Sequence, residues 1–155
     1  MSEQWKKLDL RAQPGHFARR VHQLAVALFT QEVADLGLTP VQYSALQTLC
    51  AQPGIDQKTL ATTIGYDTST IGGVIDRLEA RGLVIRNISP LDRRARLITP
   101  TDKGEQMLEA VVPRMLKSQQ RLLAPLAPAE RAEFMRLMKL LIDANAELSN
   151  TPAKE

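Results

Sequence analysis

The stretch "TSTIGGVIDRLEARGLVIRNISPLDRRARLITPTDKG", Thr68 to Gly104, changes its hydrophobic period halfway along. Up to Gly82 the apolar residues Ile71, Val74, Ile75 and Leu78 share one helical face. Beyond it, "LVIRNIS" and "RLIT" are β-branched and apolar, and Ser89-Pro90 starts a turn between them, so the two pair as a hairpin. Its tip, Leu91 to Arg96, carries Arg93, Arg94 and Arg96 beside Asp92. Upstream, "DQKTLATTIG" predicts a short helix with Leu60, Ala61 and Ile64 inward, then a tight Gly65-Tyr66-Asp67 turn with Asp67 as the next N-cap. Two short helices across a glycine-containing turn, followed by a hairpin, make a winged helix-turn-helix.

Outward from that centre the chain is helical. Phe17, Val21, Leu24 and Leu28 repeat at helical spacing between Pro14 and Leu36, and Gly37 closes the segment. In "LTPVQYSALQTLCAQPG", Thr39 is an N-cap, Pro40 suits the first helical position and Gln42 completes a capping box. Val41, Ala45 and Leu49 form that helix's inner face. A helix from about Thr101 turns Leu108, Val112, Met115 and Leu122 inward, and Pro113 predicts a bend in it. Another, from about Pro128, stacks Phe134, Leu137, Met138, Leu141 and Ile142. The fold class expected is mainly α with a small β-hairpin, one structural domain in all. Residues 39–100 form the winged helix-turn-helix, 14–36 and 101–148 dimerisation helices, and 149–155 a flexible tail. A winged helix of about 60 residues cannot bury the terminal helices' apolar stripes, which points to a two-fold homodimer.

The chain has 155 residues, 44% hydrophobic and 24% charged, the composition of a globular domain. No apolar run reaches the 18–20 or so residues of a bilayer span, and "MSEQWKKLDLRAQPGH" contains no signal-like stretch, so a cytoplasmic protein without membrane partners is expected. Between Asp76 and Arg96, six arginines stand against three acids, a local +3 that equals the net charge of the whole chain. A basic excess confined to one segment is the footprint expected for a polyanion.

The sequence resembles the multiple antibiotic resistance regulator (MarR) family of bacterial transcription factors, over roughly Pro14 to Leu148. "DRRARLITPTDKG" is similar to the family's wing signature, Asp-x-Arg, a strand with Leu, then Thr-x-x-Gly. "STIGGVIDRLEARGLVIR" is similar to its recognition helix and "LTPVQYSALQTL" to its second helix. The resemblance implies a homodimer held by the terminal helices, which binds double-stranded DNA at a pseudo-palindromic operator. It also implies repression relieved by a small ligand.

In a helix-turn-helix the second helix meets base edges with its N-terminal residues, here Thr68, Ser69 and Thr70. Gly72 and Gly73 depart from the family pattern, and either close approach to DNA or packing on a neighbouring helix accounts for them. Gly73 is counted with the DNA-facing residues. Gln57, Lys58 and Thr59 suit phosphate contacts. Arg77 serves as a phosphate clamp or pairs with Asp92. Arg94 is expected in the minor groove, Asp92 orients Arg94 or ties the wing to the recognition helix, and Arg93 and Arg96 meet phosphates. The family's pocket implies a ligand site between the dimerisation and DNA-binding parts. His16, Arg20 and Gln23 share a helical face, and with Tyr43 and Leu46 near they would bind a small aromatic acid, the carboxylate on arginine. The alternative is that Arg19, Arg20 and His22 cross-link the dimer or cap helix ends.

Other classes find less in the residues. Cys50 is either a redox sensor or a buried structural thiol. The sequence has no phosphate-binding glycine loop, no metal-spaced Cys/His cluster and no obvious catalytic triad, so neither an enzyme nor a cofactor is expected. A winged helix devoted to protein–protein contact would not need an arginine-rich tip.

Overall fold

The computed structural model describes residues 3–149, with the side chain of Ser149 excepted. The elements are α1 (Pro14–Val33), α2 (Pro40–Ala51), β1 (Ile55–Asp56), α3 (Gln57–Ile64), α4 (Thr68–Ala80), β2 (Val84–Ile88), β3 (Arg96–Pro100), α5 (Asp102–Leu123), α6 (Pro128–Ala144) and α7 (Ala146–Ser149). Most of the expected tail, 149–155, lies outside the described residues; Ser149 closes α7.

Local chemistry sets the helix starts. The Thr39 hydroxyl accepts the Gln42 amide while the Gln42 side chain accepts the Thr39 amide, a reciprocal capping box. Asp56 caps α3 through the Thr59 amide, and Thr101 caps α5 through the Gly104 amide. Gly37 and Gly65 follow their helices in the left-handed region, at φ 65° and 75°, where a side chain would be strained.

The core lies under the winged helix. Leu46, Leu49, Leu60, Ile71, Ile75, Leu78, Leu83 and Ile98 are fully buried, with Val33 of α1 and Val111 of α5 completing the cluster. The expected inner face of α4 is therefore the one that packs. The hairpin pairs antiparallel from Val84 opposite Pro100 to Ile88 opposite Arg96. The sheet has a third strand that the sequence reading missed. Ile55 and Asp56 pair antiparallel with Ile98 and Leu97, giving the order β1-β3-β2.

The terminal helices behave differently. α1 lies against α5, tied by Lys117 and Arg121 to Glu32 at 2.9 and 2.7 Å and by Arg114 to Asp35. Only Phe29 and Val33 of α1 are buried, whereas Phe17 and Leu24 are more than half exposed. α5 continues through Pro113. α6 has no buried residue, and Leu137, Leu141 and Ile142 of its expected stack face solvent in the single chain.

Candidate nucleic-acid interface and effector cleft

α3 and α4 meet at the Gly65 turn, which the Tyr66 amide closes on the Ala61 carbonyl at 2.9 Å. α4 buries Ile71, Val74, Ile75 and Leu78 and leaves Thr68, Ser69, Thr70, Gly73 and Arg77 exposed. Asp67 organises its first turn. Oδ1 accepts the Thr70 amide at 2.7 Å and the Ser69 hydroxyl at 2.6 Å, and Oδ2 accepts the Thr70 hydroxyl. The Ser69 hydroxyl, then the Thr70 hydroxyl and amide, hold the Asp67 carboxyl well below the usual carboxylate range.

The two central glycines separate in role. A Cβ on Gly72 would lie 2.9 Å from the Gln57 side-chain nitrogen, whereas one on Gly73 would meet nothing within 4 Å. Gly72 thus makes room for α3, and Gly73 is a bare spot on the outer face of α4. Gln57, expected at a phosphate, is half-buried and donates Nε2 to the Thr68 carbonyl at 2.8 Å, bracing α3 on α4. Lys58 and Thr59 next to it stay exposed.

The wing tip is built on Ser89, a buried residue whose Oγ accepts the amides of Leu91 and Asp92 at 3.2 and 3.4 Å. Asp92 Oδ1 accepts the Arg94 amide at 2.9 Å, so it positions Arg94 through the backbone. No ion pair joins Arg77 to Asp92 among the described residues. Arg77, Arg93, Arg94 and Arg96 are all exposed, and among the described residues none forms an ion pair.

The other two arginines of the basic stretch, counted in its charge but given no role by the sequence, face inward. Arg86 binds Asp76 and Glu79, both at 2.6 Å, and so locks the start of the wing to α4. Arg81 donates to the carbonyls of Gly37 and Leu36 at 2.6 and 2.9 Å, tying the end of α4 to the end of α1's segment. These partners lie 44 and 45 residues away, beyond any local signal. The excess cation is thereby concentrated on Arg77 and the wing.

The expected ligand residues do not come together within one chain. His16 and Arg20 line a shallow cleft of about 410 Å³ with Arg11, Phe17 and Arg19. Gln23 accepts from Arg20 at 3.2 Å and is not among the lining residues. Tyr43 and Leu46 sit elsewhere, in the core, with the Tyr43 ring 5.7 Å from that of Phe29. The nine residues from Arg20 to Phe29 turn the helix by about 180° and advance it roughly 13 Å, so the two sets face opposite ways. Arg11, in a 3₁₀ turn before α1, gave no sequence signal for this cleft. The Tyr43 hydroxyl is buried and lacks a hydrogen-bond partner among the described residues. Burial also raises its pKa.

Cys50 is half-buried, and burial, then the charge of Glu105, push its thiol pKa up. That is the reverse of what a reactive thiolate requires. Among the described residues no His, Cys, Asp and Glu cluster could hold a metal ion, and no single helix is long and apolar enough to cross a membrane.

Comparison with known proteins places this geometry among transcription regulators. The sequence pattern of the MarR family matches residues 36–95. The chain is 31% identical over 137 residues to the transcriptional repressor NicR of Pseudomonas putida, covering 88% of this chain and 87% of that protein. A crystal structure of the PcaV transcriptional regulator of Streptomyces coelicolor, in complex with its natural ligand, superposes with a TM-score of 0.81. Its identity is 39%, over 88% of this chain and 96% of that one. A structure addressing regulation of DNA binding of BpsR of Bordetella bronchiseptica by 6-hydroxynicotinic acid gives 0.83 at 34%, covering 88% and 97%.

Proposed function

The chain belongs to the MarR family of transcription regulators, and from that premise we propose that it acts as a dimeric repressor released by a small aromatic carboxylate. Members of this family regulate transcription and are not enzymes. Two copies join through the terminal helices, where Phe17, Leu24, Leu140, Leu141 and Ile142 are exposed in the single chain. Each copy sets α4 in a major groove of a pseudo-palindromic operator and its wing in the neighbouring minor groove. The observation that carries this reading is the sorting of the arginines. Arg81 and Arg86 are held inside the fold, while Arg77, Arg93, Arg94 and Arg96 stand exposed without acidic partners among the described residues.

In this reading Arg94 enters the minor groove from a tip held by Ser89 and Asp92, and Arg93 and Arg96 meet phosphates with Arg77, Lys58 and Thr59. Gly73 lets the α4 backbone approach the duplex, and Thr68, Ser69 and Thr70 face base edges. Gln57 acts behind the interface, as a brace.

The effector site is supported by the cleft along α1, where Arg11, Arg19, Arg20 and His16 surround Phe17. Arginines on a partly apolar cleft suit a carboxylate attached to a ring. PcaV has a natural ligand and BpsR responds to 6-hydroxynicotinic acid, an aromatic acid. His16 and Arg20 hold the carboxylate and Gln23 steadies Arg20. Tyr43 and Leu46, in the core on the other side of α1, stay outside this cleft within one chain. The place of work is the cytoplasm.

A thermal-shift screen of the dimer against benzoate, 4-hydroxybenzoate and 6-hydroxynicotinate tests the effector reading. A ligand at a hundred times its Kd adds about 2.7 kcal/mol. At least one acid should stabilise wild type and release it from DNA, and Arg20→Ala should lose both effects. No response to any aromatic carboxylate contradicts the effector reading and leaves DNA binding standing.

A further inference from the structure

We infer that Asp67 sets the polarity of base reading at the head of α4. It draws the protons of the Ser69 and Thr70 hydroxyls inward, so that both groups act as acceptors toward DNA and select the amino-bearing edges of adenine and cytosine. The inference rests on the proposed placement of α4 in the major groove.

A carboxylate only accepts hydrogen bonds, so the direction of each bond to Asp67 is forced. The Ser69 hydroxyl points its single proton at Oδ1, 2.6 Å away, and the Thr70 hydroxyl points its own at Oδ2. The Thr70 amide, 2.7 Å from Oδ1, fixes the carboxylate against the helix. Neither hydroxyl retains a donor, yet both residues are exposed on the outer face of α4. What each presents outward is a pair of lone pairs. In the major groove these fit the adenine N6 and cytosine N4 amino groups, and they repel guanine N7 and O6 and thymine O4. Phosphate oxygens also accept only, so the same polarity steers these hydroxyls away from the backbone and toward bases.

Asp67→Asn tests the idea with little change in shape, since asparagine caps helices as well as aspartate. The cap needs an acceptor for the Thr70 amide, so the amide oxygen of the new side chain takes the place of Oδ1. Its NH2 then lies where Oδ2 was, and the Thr70 hydroxyl must accept inward and turn its proton outward. Ser69 keeps its wild-type polarity.

The experiment is selection of random-sequence duplexes by full-length wild type, Asp67→Asn and Thr70→Val, followed by titration of the winning sequences. Circular dichroism confirms that each variant is folded. Wild type and Asp67→Asn should share a half-site except at one position. There wild type takes adenine or cytosine on the contacted strand and Asp67→Asn takes guanine or thymine, each favouring its own choice roughly fivefold. Thr70→Val should not discriminate at that position. Replacing the contacted base by an analogue without its amino group should weaken wild type by a similar factor and leave Thr70→Val unaffected.

Identical half-sites for wild type and Asp67→Asn, or a wild-type preference surviving in Thr70→Val, would overturn the role of Asp67 while leaving DNA reading in place. A wild type that enriches no sequence would overturn DNA reading itself, and this inference with it.

Discussion

Gly104 packs directly against the backbone of Leu83: a Cβ on Gly104 would come within 2.1 Å of the Leu83 carbonyl oxygen. The same carbonyl accepts the Thr101 amide at 3.0 Å, and the Thr101 hydroxyl reaches the Gly82 carbonyl at 2.6 Å. The Thr-x-x-Gly pattern is thus a clasp that joins the returning strand of the wing to the strand that leaves α4. Its partner is backbone and cannot swing aside. Gly104→Ala should therefore cost about 3 kcal/mol or more, read as a lower denaturant midpoint. A cost under about 1 kcal/mol would show that the clasp yields.

Arg86 and Arg94 belong to one basic run but should fail differently. Arg86→Ala leaves Asp76 and Glu79 facing each other without a counter-charge and loosens the wing. Urea unfolding should show lost stability, while the slope of log binding constant against log salt stays near wild type, because no phosphate contact is removed. A changed salt slope with unchanged stability would place Arg86 on the DNA instead.

Glu32 gives the α1–α5 contact a pH dependence. Hydrogen bonds from Lys117 and then Arg121 hold its carboxyl below the ordinary value of 4.5. The folded state therefore binds this proton less readily than the unfolded chain. The contribution is fully present above pH 4.5 and is lost as pH falls through the lower folded value. Wild type should be more stable than Glu32→Gln at pH 7, and the gap should narrow below pH 4.5. A gap that is constant through acid pH would contradict this.

Cys50 should be a poor redox sensor. Its thiol is pushed up by burial and by Glu105. Alkylation by iodoacetamide at pH 7.5 should be slow against a free thiol, and hydrogen peroxide should leave DNA affinity unchanged. Rapid alkylation, with peroxide release from DNA that Cys50→Ser abolishes, would restore the redox reading.

What the sequence made legible was whatever it encodes locally. Thr39 with Gln42 and Asp67 with Thr70 are caps spanning three residues, and the buried face of α4 repeats within one helix. The two-residue strand β1 carries no alternation, and it exists only because β3 passes beside it. Arg81 and Arg86 entered the sequence reading only as part of a charge count, which does not reveal which carbonyl or carboxylate the fold brings near. Ser69 and Thr70 were read as polar contacts, but the direction of their protons depends on how Asp67 closes over them. The ligand residues divided because Arg20 and Phe29 lie on opposite sides of α1, and only a partner copy or a neighbouring element can cover the Arg20 side.

The central claim is that the wing's free arginines hold duplex DNA. Its most direct test is a gel-shift titration of wild type and Arg94→Ala on a selected operator at two salt concentrations. Arg94→Ala should fold with a stability within about 0.5 kcal/mol of wild type. It should bind markedly more weakly, with a salt slope shallower by about one. Equal affinity and equal slope for the two proteins would contradict the account.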